Sequence, residues 1–95
     1  MQLHKIKVGR KYIQAILIKL VHKNLIILLG SKGYIMCGYL NLTVANKFKE
    51  VAVKIVKVST ISEALKAKVH SATYAAKHLG IHRGQSIKDV LKIIV

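Results

Sequence analysis

Cys37 is the residue of this sequence best suited to act as a nucleophile. A thiol ionises and becomes reactive beside a basic group or near a helix N-terminus, and a helix is predicted to begin at Asn41, just downstream. A histidine within hydrogen-bond reach would act as the base, and His70 is one candidate for it. The alternative, which holds more often for a lone cysteine in an apolar strand, is a buried small hydrophobe.

A mixed aromatic and basic face is the second candidate site. Tyr74, Lys77 and His78, with His70, fall on one side of a predicted helix, opposite a stripe of alanine and leucine. Such a face could stack on a nucleotide or contact a partner subunit. The alternative is a solvated helix face with a single exposed aromatic ring.

The five histidines form no recognised metal signature. Only His78 and His82 have a ligand-like spacing of four, and Gly80 breaks the helix between them. We therefore predict no metal site, and no motif in the sequence identifies a cofactor.

The charge of the chain is strongly positive. Seventeen Lys and Arg residues stand against three acids, which gives a formal net charge of +14. This surface is predicted to attract polyanions such as nucleic acid. Only Arg10 and Arg83 have the guanidinium fork that reads phosphates or guanines bidentately, so attraction is predicted more firmly than sequence recognition.

Length and composition indicate one folded domain over residues 1–95. A hydrophobic share of 53% supplies a core, and no apolar run approaches the roughly 20 residues that cross a bilayer, so no membrane association is predicted. The single cysteine excludes an intramolecular disulfide framework, which favours the cytoplasm.

The pattern of elements predicts an α+β fold. We expect a largely antiparallel or mixed sheet of about five strands, made from two N-terminal hairpins and one later strand, with three to four helices. In residues 1–40, Lys5–Val8 pairs with Tyr12–Lys19, and Leu25–Leu29 pairs with Tyr34–Leu40 across the turn 30–33. Residues 41–95 supply the strand Val51–Val58 and the helices.

Local signals place the helices. Asn41 is a predicted N-cap, after which Leu42, Ala45 and Phe48 fall on one side of a short helix. Thr60 and Glu63 form a capping box, and Ser86 and Asp89 form a weaker one. The remaining signals are helical spacing of apolar residues from Val69 to Leu79, a C-cap at Gly80-Ile81, and an apolar stripe made of Ile87, Val90, Leu91 and Ile94.

The N-terminal strands are apolar on both faces, which indicates an interface. Three or four short helices can cover one face of such a sheet and leave the other exposed. We therefore predict a homo-oligomer, and the predicted contacts are Tyr12, Ile16, Ile18, Ile26 and Leu28. The alternative is a monomer with helices on both faces.

A family resemblance runs through nearly the whole chain. The segment Gly33–Asn41, with Met36-Cys37-Gly38-Tyr39-Leu40 as its most specific part, resembles the YunC-like family, a domain of unknown function. Asn24-Leu25-Ile26, Leu79-Gly80-Ile81 and Gly84 add to the likeness. The resemblance implies an N-terminal β-sheet region through which the protein tetramerises, and it implies no activity. The shortage of acids departs from the family pattern, so charge-dependent partners do not carry over.

Three functional hypotheses follow. The first is a cytoplasmic homo-oligomer, a tetramer by the resemblance, of unassigned biochemical role. The second is a nucleic-acid-binding module that uses the basic surface. The third is an enzyme that uses Cys37 with His70 or another histidine as base.

Overall fold

The computed structural model describes residues 1–95, which form one six-stranded sheet with four helices. The strands are β1 (Gln2–Val8), β2 (Lys11–Lys19), β3 (Asn24–Leu29), β4 (Tyr34–Met36), β5 (Ala52–Lys54) and β6 (Ser71–Ala72). They lie side by side in chain order, and every neighbouring pair is antiparallel except β4 and β5. The predicted α+β class is confirmed, with a mixed sheet of six strands in place of about five.

The helices are α1 (Leu42–Lys47), α2 (Ile61–Leu65), α3 (Tyr74–His78) and α4 (Ile87–Ile94). None of them combines the length and the apolar character that crossing a membrane would require.

Alternation along β2 separates the two faces of the sheet. Ile13, Ala15 and Leu17 are buried and belong to the main core, so we call their side the inner face. Tyr12 and Ile16 project from the opposite side, which we call the outer face.

The inner face carries the main core, to which α2, α3 and α4 contribute. All four predicted stripe residues of α4 are buried there, together with Ala64 of α2 and Ala76 of α3. Each fully buried isoleucine in this core contributes about 2 kcal/mol of apolar burial.

The outer face is covered only at one side. Ala45 of α1 packs with Leu40 and Ala52, and Tyr34 and Met36 pack against this small cluster. Because Met36 pairs with Ile27, these contacts place α1 on the outer face over β4 and β5.

Three of the four predicted helix-capping signals are present. The Asn41 side chain accepts a hydrogen bond from the Val44 N–H, and Thr60 and Glu63 form a reciprocal capping box. Hydrogen bonds from Ser59, followed by those from Thr60 of the box, lower the pKa of Glu63. Gly80, at φ 89, closes α3 with bonds from its own N–H to Lys77 and from the following N–H to Ala76.

Several sequence predictions need correction. Ser86 precedes α4 but makes no side-chain cap bond, so the second capping box is absent. Phe48 is 71% exposed, because it lies at the C-cap of α1 and not within the helix. The helical pattern predicted from Val69 begins only at Tyr74; before it, β6 pairs with β5 and adds the strand that the sequence did not indicate.

Candidate functional site

An open cavity of about 700 Å³ lies at one end of the sheet. Its walls are the end of the turn between β2 and β3 with the first residue of β3 (residues 22–24), the chain that follows β4 (37–39) and the chain that follows β5 (56–59). The parallel pairing of β4 and β5 brings the last two walls together, because parallel strands end at the same edge.

Cys37 lines this cavity but is fixed to the backbone of β3. Its side chain is 4% exposed, and its Sγ lies 3.4 Å from the Ile26 N–H that donates to it. The thiol in turn donates to the Asn24 carbonyl oxygen at 3.8 Å. Both bonds go to main-chain groups, so the thiol links β3 to the end of β4.

His70 does not pair with Cys37. The strand β5 separates β4 from β6, and the His70 Nδ1 lies 3.1 Å from the Ser71 hydroxyl. The histidine that does line the cavity with Cys37 is His22. No hydrogen bond joins either histidine to the thiol, so the geometry gives a cysteine-dependent enzyme no support.

Sequence reasoning missed most residues of the cavity wall. His22, Lys23 and Lys57 supply its basic side chains, and Tyr39 supplies an aromatic ring that is 49% exposed. No carboxylate lines the cavity, so its chemistry is cationic. One of these residues could have been found from the sequence, because Tyr39 lies two positions after Cys37, the candidate nucleophile.

The outer face of β1, β2 and β3 is the second surface of interest. Leu3, Ile16 and Ile27 form one row across the three strands, and Leu3 is 57% exposed. Tyr12, one of the predicted interface residues, is 59% exposed, and Ile18 is partly buried on the same face.

Two predicted interface residues lie on the wrong side. Ile26 and Leu28 are fully buried in the main core, because they pair with the inward-facing Leu17 and Ala15 of β2. Their neighbours Leu25, Ile27 and Leu29 are the residues that β3 presents on the outer face.

The predicted binding face around Tyr74 lies on α3, away from the cavity wall. Tyr74 is 68% exposed, and the Lys77 ammonium lies 5.4 Å from its ring centroid in a cation–π contact. His78 is exposed at the end of the same helix. The Lys77–Tyr74 contact forms within one helix turn, so this face already has an intramolecular partner.

A second titratable pair lies beside the turn between β3 and β4. The Tyr34 hydroxyl donates to the Glu50 carboxylate at 2.8 Å. Burial, followed by this hydrogen bond and the negative charge, raises the pKa of Tyr34 to about 12. The Glu50 carboxylate thus accepts a hydrogen bond from the neutral Tyr34 hydroxyl and forms no ion pair with a lysine.

The main comparison concerns residues 36–94, which match the model of a domain of unknown function, DUF1805. The matched range is more than half of the chain and begins at Met36, inside the motif that carries the resemblance. The chain belongs to the DUF1805 family.

Two relatives extend the match of this DUF1805 chain. The uncharacterised protein YunC of Bacillus subtilis (strain 168) is 42% identical over 81 residues, which cover 81% of this chain and 80% of YunC. The crystal structure of a protein of unknown function, TA1206 from Thermoplasma acidophilum, is 36% identical. It has a TM-score of 0.95 and covers 99% of this chain and 92% of its own, so the similarity includes β1 to β3.

Proposed function

We propose that this DUF1805 chain functions as a homo-oligomer, assembled through the apolar part of the outer face of β1, β2 and β3. The observation that carries the proposal is the uncovered apolar row of Leu3, Ile16 and Ile27. Helix α1 covers the outer face only over β4 and β5, whereas the inner face of β2 to β5 carries the main core. Contiguous apolar surface of this kind normally marks an interface.

A second copy is the occupant that fits this surface. A row of aliphatic side chains is self-complementary about a twofold axis, because the same residues can contact their own counterparts. The family resemblance supports a tetramer formed by the N-terminal strands. With the single cysteine present as a free thiol, we propose the cytoplasm as its location.

Replacing Ile16 by lysine tests the interface. The substitution puts a charge in the middle of the row, and burying an unpaired charge against a second copy is strongly unfavourable. We expect light scattering to give a multiple of the 10.6 kDa chain mass for the wild type, four times that mass for a tetramer, and one chain mass for Ile16→Lys.

Ser62→Lys is the matched control, because it adds the same charge at an exposed position of α2 and should leave the assembly intact. Circular dichroism checks that both variants fold. A wild-type monomer at micromolar concentration would refute the assembly, and an Ile16→Lys oligomer would refute this face as its interface.

Polyanion binding is a second candidate function, supported by the state of the lysines. The structure contains one ion pair, Lys92 with Asp89 at 4.0 Å on the surface. Glu50 and Glu63, the other acids, bond to Tyr34 and to the Ser59–Thr60 segment. Nearly all of the positive charge is thus unpaired and free to attract nucleic acid.

Salt dependence tests this second candidate. A single-stranded oligonucleotide should bind at low salt, and the logarithm of its affinity should fall linearly and steeply with the logarithm of salt concentration, because bound lysines release counterions. Fluorescence anisotropy at several salt concentrations measures the slope. An affinity that does not change with salt concentration, or no binding at low salt, would eliminate the candidate.

A further inference from the structure

We propose that the cavity at the carboxyl ends of β4 and β5 binds a small anionic molecule with a planar ring, which is the chemistry of a nucleotide. The inference goes beyond the proposed assembly and uses a different part of the molecule.

The first argument is the position of the cavity in the fold. β4 and β5 are the one parallel pair of the sheet. After β4 the chain passes to α1 on the outer face, and after β5 it passes to α2 on the inner face. Where neighbouring parallel strands send their following segments to opposite faces, a crevice opens between the two segments, and open sheets bind ligands in such crevices.

Size and lining fit a small organic ligand. Sites for such molecules measure roughly 300 to 1,000 Å³, and this cavity measures about 700 Å³. Val56 and Val58 give it apolar walls, and Tyr39 offers a flat ring that is half exposed. A planar ring in the ligand could stack on Tyr39 and exclude water from it.

The charge of the cavity selects an anion. Lys23 and Lys57 line it, and neither has a carboxylate partner in the chain. Glu63 bonds to Ser59 in the wall, but its Oε1 already accepts hydrogen bonds from the Ser59 and Thr60 amides. Lys57 also holds a left-handed backbone conformation, φ 59, which costs a non-glycine residue roughly 1 kcal/mol.

Gly38 supplies independent support for close approach of a ligand. Of the six glycines, three have positive φ, and Gly30 and Gly33 have neighbours that a Cβ would strike. Gly38 has neither property: a Cβ there would meet no heavy atom within 4 Å. Packing and backbone geometry within the chain therefore do not require glycine at this position, whereas a ligand lying against the backbone would.

Titration with adenosine monophosphate tests the proposal. We expect calorimetry to show AMP binding in the micromolar range, with adenosine alone and inorganic phosphate alone each binding more weakly. Amide shifts in a two-dimensional NMR spectrum should concentrate in residues 22–24, 37–39 and 56–59. Lys57→Gln should weaken AMP binding about tenfold, because it removes a charged hydrogen-bond donor.

Two further variants make the result decisive. Lys88→Gln removes an exposed lysine of α4 outside the cavity and should bind AMP like the wild type. Gly38→Val should fold normally and lose AMP binding. Absence of AMP binding, equal weakening by Lys88→Gln and Lys57→Gln, or wild-type affinity in Gly38→Val would overturn the proposal. Light scattering should give the Lys57→Gln variant the same oligomer mass as the wild type. A loss of AMP binding in this variant is then distinguished from a loss of assembly.

Discussion

Replacing Thr73 by valine should lower the free energy of unfolding by about 3 kcal/mol, although the two side chains have nearly the same shape. Thr73 is fully buried, and its hydroxyl donates to the Glu50 carbonyl oxygen at 2.7 Å. The Thr73 hydroxyl oxygen also accepts hydrogen bonds from the N–H groups of Ala52 at 3.1 Å and Ala76 at 3.3 Å. One hydroxyl thus caps α3 and fastens it to the start of β5, and valine would leave these main-chain groups without that partner.

Urea denaturation followed by circular dichroism measures this loss, at one protein concentration because assembly would add to the apparent stability. Thr73→Ser is the matched control: it keeps the hydroxyl and removes one methyl group, for a loss of about 1 kcal/mol. A valine variant as stable as the wild type would show that the hydroxyl contributes nothing.

Gly30→Ala should lower the free energy of unfolding by a similar amount, about 3 kcal/mol, for a steric reason. A Cβ at Gly30 would strike the carbonyl oxygen of Ile94 and lie 2.8 Å from its carbonyl carbon. Because these atoms are backbone, the end of α4 would have to move. That movement would also break the 2.8 Å hydrogen bond from the Lys32 N–H to the same carbonyl oxygen.

Gly38→Ala provides the comparison for this variant. Its Cβ meets no neighbouring atom, so its stability should stay within about 0.5 kcal/mol of the wild type. Thermal or urea unfolding of the two alanine variants, side by side, measures the difference. A Gly30→Ala protein as stable as Gly38→Ala would mean that the turn and α4 are not packed as the structure shows.

The parts of the fold that the sequence predicted correctly depend on local chemistry. The N-cap at Asn41, the capping box at Thr60 and the C-cap at Gly80 each need only residues a few positions apart. The two hairpins were equally predictable from the sequence, because a turn and the apolar strands on either side of it are neighbours in the chain.

Features that depend on distant contacts were not predictable in the same way. The strand β6 has two residues, held by pairing with β5, and its Ala72 also fits the helical spacing that continues to Ala76. In β3, both faces are aliphatic, so the pattern of residue types did not distinguish the inward Ile26 from the outward Ile27.

The candidate site was predicted only at one residue. Cys37 was singled out, but its wall partners His22 and Lys57 lie 15 and 20 positions away and carry no motif that links them to it. The pairing of β4 with β5 brings them together, and the sequence did not specify that this pair is parallel. His70 was proposed as the base for Cys37 because of its residue type. Residue type alone carries no information on the distance between the two side chains.

The unpaired edge of β1 has a consequence for how this protein behaves in solution. A seven-residue strand with free main-chain groups invites another strand to add to it, and repetition of that step grows fibres. Lys5 and Lys7 line this strand, and their mutual repulsion between copies opposes such growth. High salt or a bound polyanion would screen that repulsion, so storage at low ionic strength without nucleic acid should best keep the protein from aggregating.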